Sequence, residues 1–197
     1  VDLDPQTNAT VASGLALKGA HLSGYDFLTS DQALGEEAFQ STRYGYDVLP
    51  GSHRLTAAEV QLMKEDRREF RLRHSLRRAS KDYHYVLIDC PPALNILTVN
   101  ALVAADQVLI PCQCEYLALE GLSKLLKTIT ALNHSLSCSI QICGLVRTLY
   151  DGRNLLSRQV SYQLKKSFGT ILYDSIIPRN VKLAEAPSHG TPIITYD

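Results

Sequence analysis

Strand-like and helix-like segments alternate along these 197 residues. That alternation predicts an α/β fold, a mostly parallel twisted sheet flanked by helices. Two further observations support it. Compact apolar runs stop abruptly at acids or prolines, as at Val86–Ile88 before Asp89-Cys90-Pro91-Pro92. The composition, 45% apolar and 20% charged, is that of an ordinary globular domain with a real core. The length suits one such domain over 1–197. The 20 Lys and Arg balance the 20 Asp and Glu, so any nucleic-acid contact has to come from a local patch. No apolar run approaches the roughly 18–20 residues of a membrane span, so no membrane partner and a cytoplasmic location are expected.

Each element follows from local chemistry. The opening Val1-Asp2-Leu3-Asp4-Pro5 reads as the end of a strand that begins upstream, and an N-terminally truncated chain is expected. Residues 5–42 are polar and dotted with glycine, with short helical stretches at Ala9–Ala16 and Ala33–Phe39. Tyr46–Leu49 reads as a strand turned by Pro50-Gly51, and 57–80 as a helix bent in the middle. Val86–Ile88 reads as a buried parallel strand. Asn95–Ala105 reads as a short amphipathic helix, followed by a strand at Val108–Pro111. Ala118–Leu132 carries leucines and isoleucine at helical spacing. Ile140–Val146, Leu155–Phe168 and Ile171–Ile177 read as strand, helix and strand, the last stopped by Pro178. Val181–Ala186 makes one or two helical turns, and Pro192–Tyr196 is a final apolar run.

In a parallel sheet, functional residues gather beyond the C-terminal strand ends. Asp2 and Asp4 stand at one such end and Asp89 at another. Converging carboxylates with no basic partner in sequence are costly unless a cation joins them, and Mg²⁺ is the natural one. A single acid there does no more than cap a turn. Two reaction classes use such a set: nucleotide hydrolysis with Asp89 as a Walker-B-type acid, and phosphorylation of a receiver aspartate. The receiver chemistry wants a lysine after a late strand. Pro111-Cys112-Gln113 and Arg147-Thr148 supply none, so that reading ranks low.

Four blocks then carry a resemblance that runs from residue 1 to 197. They are Val1-Asp2-Leu3-Asp4-Pro5-Gln6-x-Asn8-Ala9-Thr10, and Asp89-Cys90-Pro91-Pro92 with Leu97-Thr98-x-Asn100-Ala101-Leu102. The third is Pro111-x-Gln113-x-Glu115-Tyr116-x-Ala118-Leu119-Glu120-Gly121. The fourth runs Ile177-Pro178-Arg179-Asn180-Val181-x-Leu183-x-Glu185-Ala186-Pro187-Ser188-x-Gly190-x-Pro192. In this order they resemble the ParA/Soj-type partitioning ATPases, which are P-loop NTPases with a deviant Walker A motif. The resemblance implies that the first strand, the phosphate-cradling Lys-Gly-Gly-x-Gly-Lys-Thr loop and a closing helix lie outside these residues.

It also implies roles. Asp4 would orient the attacking water, with Asp2 in the same switch segment, and Asp89 would hold Mg²⁺ through water. Thr148, Pro178 and Asn180 would flank the adenine of ATP. The family binds DNA nonspecifically as an ATP-held homodimer, and Lys165, Lys166, Arg179 and Lys182 are the candidate contacts. Hydrolysis, stimulated by a ParB/Spo0J-like centromere-binding partner, would release the nucleoid-associated dimer. A MinD-like positioning ATPase and a truncated, non-catalytic DNA- or protein-binding module are the alternatives.

A second basic run, Arg67, Arg68, Arg71, Arg73, Arg77, Arg78 and Lys81, has near-helical spacing and reads either as a DNA face or as a solvated helix surface. The five cysteines lack zinc-ribbon spacing and read as reduced thiols, with Cys90, Cys112 and Cys143 in or beside apolar strands. The six histidines show no ligand spacing, and His189 alone lies inside a block, as a structural or dimer-surface residue. Without a first strand, the sheet is expected to show an exposed edge and an uncovered apolar face.

Overall fold

The computed structural model describes residues 1–16, 22–32, 34–79 and 83–196. His21, Ala33, Ser80 and Lys81, each touched by an expectation above, lie outside them. The chain divides into two compact units, Val1–Ala105 with Lys182–Asp197, and Asp106–Val181.

The first unit begins with Val1–Leu3, joined to 87–89 by a single parallel bridge between Asp2 and Asp89. Helices α1 (Asn8–Ala12) and α2 (Gly24–Thr29) follow, then a two-stranded antiparallel ribbon of β1 (Gln40–Ser41) and β2 (Asp47–Val48). Helix α2 was hidden in a polar stretch. Its start is a capping box in which the Asp26 carboxylate accepts the Ser23 N–H (2.9 Å) and hydroxyl (2.8 Å). The bent helix of the sequence resolves into α3 (Leu55–Leu62), a 3₁₀ turn at Arg68–Phe70 and α4 (Arg71–Ala79).

Helix α5 (Ile96–Ala104) starts where the Asn95 side chain accepts the Leu97 and Thr98 N–H groups, both at 3.1 Å. The expected amphipathic pattern is not what this helix shows. Leu97, Thr98, Asn100, Ala101, Leu102 and Val103 are all buried, which takes in most of its circumference. Leu97 and Ala101 join Leu3, Phe27, Leu28, Leu49, Leu55 and Leu72 in the core.

Val86–Ile88 departs further from expectation. Tyr85 is 89% and Leu87 83% exposed, so this run is not a buried strand. Among the described residues its pairing is toward Val1–Leu3 only: the Leu87 carbonyl accepts the Val1 ammonium (2.8 Å), and just past the run the Asp89 N–H donates to the Val1 carbonyl (2.9 Å) while its carbonyl accepts the Leu3 N–H (2.9 Å).

The second unit is a parallel sheet in the order β3 (Gln107–Gln113), β4 (Gln141–Tyr150), β5 (Leu172–Pro178), crossed by helices α6 (Ala118–Ser135) and α7 (Leu155–Phe168). Ile110, Cys112 and Leu145 pack with Leu122 of α6 and with Val160 and Leu164 of α7. On β3 the alternate residues Leu109, Pro111 and Gln113 are exposed, so one face of the strand is covered and the other is open. Pro178 does not follow the last residue of β5 but is that residue, opposite Tyr150. A proline fits there because β5 pairs only with β4 among the described residues and needs no second ladder.

One buried cation fastens this sheet. Arg147 on β4 donates to the Ser161 hydroxyl of α7 and to the carbonyls of Tyr173 and Asp174 on β5, each at 3.1 Å. The β4–β5 register shifts on either side of Arg147, and the guanidinium takes up carbonyls at that irregularity. Beyond β5 the chain returns to the first unit through α8 (Val181–Glu185), a 3₁₀ turn at Ala186–His189 and α9 (Ile193–Tyr196). No helix among the described residues is long and apolar enough to cross a membrane.

Asn100 ties three pieces of the first unit together. Its amide donates to the Arg68 and Ile96 carbonyls, both at 2.9 Å, and accepts the Leu72 N–H at 3.1 Å. Asn100→Ala leaves the Leu72 N–H and the Arg68 carbonyl without partners in a site that is 0% exposed. It should cost about 2–4 kcal/mol, read as a lower urea midpoint at unchanged slope.

Candidate active site

The site of the first unit is built around a buried acid. Asp2 is 0% exposed. Its Oδ2 accepts the Thr10 N–H (2.8 Å) and the Thr10 hydroxyl (2.6 Å), and its Oδ1 accepts the Asp4 N–H (3.1 Å). The Thr10 oxygen in turn accepts the Gly51 N–H at 2.8 Å. The Asp2 backbone N–H reaches the Leu49 carbonyl at 3.1 Å. The strand end, the start of α1 and the Pro50-Gly51 turn are thereby fastened at one carboxylate. Gly51 is required for the approach, because a Cβ there would stand 2.8 Å from the Asp2 carboxyl carbon.

Asp4 is half-buried and shapes the turn after the strand end. Its Oδ1 accepts the Gln6 N–H (2.9 Å) and its carbonyl accepts the Thr7 N–H (2.9 Å). Thr7 takes a left-handed backbone (φ 59°) to start α1. From outside, the His53 Nδ1 lies 2.7 Å from the Pro5 carbonyl and donates to it. Asp4 Oδ2 has no protein partner among the described residues.

Asp89 faces the same neighbourhood. Packing of protein around it, and then the charges of Asp2 and Asp4, raise its carboxyl above the usual range, while the Val1 ammonium and the Cys90 N–H act the other way. The structure therefore brings Asp2, Asp4 and Asp89 together, with different parts. Asp2 spends both oxygens on the fold, whereas Asp4 and Asp89 keep oxygen open toward solvent. Thr10, Gly51 and His53 are the residues sequence reasoning passed over. Thr10 closes the first quoted block and Gly51 the Pro50-Gly51 turn, yet neither carries a role at Asp2 in the sequence reading.

In the second unit, Thr148, Pro178 and Asn180 meet at one corner. Thr148 lies at the carboxyl end of β4 opposite Gln113, its carbonyl accepting the Cys114 N–H at 3.3 Å. Pro178 pairs with Tyr150 on β4, and the Arg179 N–H bonds the Tyr150 carbonyl at 3.0 Å, which places Asn180 just beyond. Of the basic candidates, Lys165 and Lys166 are exposed on the last turn of α7, favourably placed at a helix C-terminus. Arg179 is paired with Glu115 at 3.2 Å. Lys182 is exposed on α8.

The cysteines are all free thiols. Burial pushes Cys90 up to about 12 and Cys112 to about 11, so both stay protonated and unreactive at neutral pH. Cys143 is half-buried. No group of three or more His, Cys, Asp or Glu among the described residues is arranged to hold a metal ion.

A family model described as an AAA domain matches residues 1–142. The crystal structure of cobyrinic acid a,c-diamide synthase from Mycobacterium smegmatis with bound ADP and magnesium superposes with a TM-score of 0.82 at 32% identity, over 99% of this chain and 76% of that one. The fold is thus α/β of the P-loop NTPase type. The chromosome partitioning protein ParA of Caulobacter vibrioides is 44% identical over the whole of this chain and 74% of its own length. The sporulation initiation inhibitor protein Soj of Bacillus subtilis is likewise 44% identical, over 78% of its length. The chain belongs to the ParA/Soj family of partitioning ATPases.

The elevated Asp89 carboxyl has a consequence for stability. A raised folded-state value means that ionising Asp89 opposes folding, so the fold is favoured below the ordinary carboxylate range and loses that advantage as pH rises. Asp89→Asn should therefore raise the thermal midpoint at pH 7 by a small, solvent-screened amount of about 2 °C. The gain should vanish near pH 3, where both side chains are neutral. Gly51→Ala should act oppositely, costing about 1–3 kcal/mol by forcing a methyl group against the Asp2 carboxylate. Calorimetry across pH checks both.

Proposed function

We propose that this chain carries the hydrolytic acids of an ATP-driven partitioning protein. The observation that carries this reading is the meeting of three strand-end acids in which only Asp4 and Asp89 have oxygen to spare. Phosphoryl transfer asks little of a protein beyond positioning and charge neutralisation.

The donor set fits magnesium. Mg²⁺ takes one or two carboxylates and completes its shell with water and phosphate oxygens, so it needs no cage of protein ligands. Asp89 would hold it, relieving the repulsion from Asp2 and Asp4 that adds to burial in raising the Asp89 carboxyl. When bound, the ion neutralises charge on the phosphate oxygens. Asp4, fixed by the Gln6 and Thr7 N–H groups, orients the attacking water through its open oxygen. Asp2 acts on the reaction through the backbone: it holds the Asp4 N–H and anchors the segment to Thr10. Its place is that of a positioning residue.

Thr148, Pro178 and Asn180, at the shared end of β4 and β5, would line the adenine. ATP would hold two copies together as a DNA-binding homodimer. A ParB/Spo0J-like partner would stimulate hydrolysis and so release it, a population shift governed by the γ-phosphate. Lys165 and Lys166 are the basic candidates best placed to meet DNA, since Arg179 is occupied by Glu115.

In the full-length gene product, Asp4→Ala should leave ATP binding within about twofold and lower the turnover of ATP by about a hundredfold or more. Equilibrium binding of a fluorescent ATP analogue and a phosphate-release assay read the two quantities. Turnover at the wild-type rate would remove Asp4 from the mechanism.

A further inference from the structure

One exposed side chain of the first unit is spent on a single backbone atom. His53 stands on the surface, in the turn between Gly51 and α3. Its ring does not cap α3, whose start carries no side-chain cap bond. Among the described residues it joins no ion pair and no ring stack. Its one side-chain hydrogen bond there runs from Nδ1 to the Pro5 carbonyl at 2.7 Å. A carbonyl oxygen only accepts, so Nδ1 carries the proton. The imidazolium and one of the two neutral tautomers both have a proton at that nitrogen, so the bond survives a change in the ring's charge.

That bond reaches Asp4 through one flat group. Pro5 has no N–H, so the Asp4–Pro5 peptide offers no donor by which to hold the chain. The next peptide, Pro5–Gln6, is a rigid plane whose carbonyl and N–H point in opposite directions. Its carbonyl takes the His53 proton at 2.7 Å, and its N–H donates to Asp4 Oδ1 at 2.9 Å. Turning the plane about its flanking single bonds disturbs both bonds at once. The imidazole therefore sets the direction of the N–H that sets the carboxylate. The two bonds also strengthen each other, since a peptide polarised at its oxygen is a better donor at its nitrogen.

His53 is itself carried by a fixed turn. The Gly51 N–H binds the Thr10 hydroxyl (2.8 Å), the Leu55 N–H binds the Ser52 carbonyl (2.9 Å), and Leu55 is in the core. The turn thus grips the Asp2–Thr10 segment twice, through Thr10 at Asp2 and through Pro5 at Asp4.

We infer that His53 is a positioning residue for hydrolysis. Through the Pro5–Gln6 peptide it holds the Asp4 carboxylate in the orientation that presents its open oxygen to the attacking water. This rests on the reading of Asp4 given above.

The test compares variants of the full-length gene product. Truncating an exposed ring should leave the thermal midpoint within about 4 °C of wild type. His53→Ala should lower kcat for ATP about tenfold, with KM and the affinity for a fluorescent ATP analogue within about twofold. His53→Asn should recover most of that loss, because its amide nitrogen is bonded to Cγ as Nδ1 is. His53→Gln, whose nitrogen lies one carbon further out, should not. In an Asp4→Ala background, His53→Ala should change the residual turnover by less than about twofold, as a residue acting through Asp4 must. Nitrogen NMR of the nucleotide-free protein should show the neutral His53 ring protonated at Nδ1. Wild-type turnover in Asp4→Ala would overturn the reading of Asp4 and this inference with it. With Asp4→Ala slow, three results would overturn the inference alone: wild-type kcat in His53→Ala, an equal loss from His53→Ala in both backgrounds, or a neutral ring protonated at Nε2. A raised KM with unchanged kcat in His53→Ala would do the same, by assigning the ring to ATP binding.

Discussion

A carboxylate sealed from water with no arginine or lysine paired to it among the described residues is an expensive group, and the first unit is organised around keeping one bonded. Asp2 accepts three hydrogen bonds from two residues, and the hydroxyl that serves it also serves the Pro50-Gly51 turn. Several local choices follow from that need. Gly51 has no room for a side chain, and a Cβ at Gly24 would stand 3.0 Å from the Asp2 carbonyl. Thr10 must offer both an N–H and a hydroxyl. The acid that reads as reactive in the sequence is thus the scaffold on which its neighbour Asp4 is held.

Much of this was legible in the sequence, for physical reasons that can be named. Strand ends in parallel sheets collect function, so Asp2, Asp4 and Asp89 stood out by position alone. Helix α7 was read at its full extent because Asn154 caps it and its apolar spacing is regular. Helix α2 was missed because six polar and apolar residues without periodicity say little. Only the pairing of Ser23 with Asp26 marks its start.

Other features were out of reach. A run such as Val86–Ile88 announces hydrophobicity and cannot announce what covers it, and here Leu87 is open to solvent. Gly51 lies 41 residues from Thr10, so no local pattern links them. Charge counts could not distinguish Arg71, spent on Asp31 and Glu65, from Arg77 further along the same helix. The sequence treats the two as equivalent, and only packing separates them.

Arg147 stood in the sequence just past the strand read at Ile140–Val146, with nothing to mark a structural role. Yet it grips the neighbouring strand and the covering helix at once, and it does so with no acid as counterpart among the described residues. A guanidinium does not give up its proton in proteins. Its acceptors, two peptide carbonyls and a hydroxyl, do not titrate either. The clasp between β4 and β5 is accordingly blind to acidity. A change in proton concentration that loosens joints made of carboxylates does not act on this one, which stands beside the corner carrying Thr148 and Pro178.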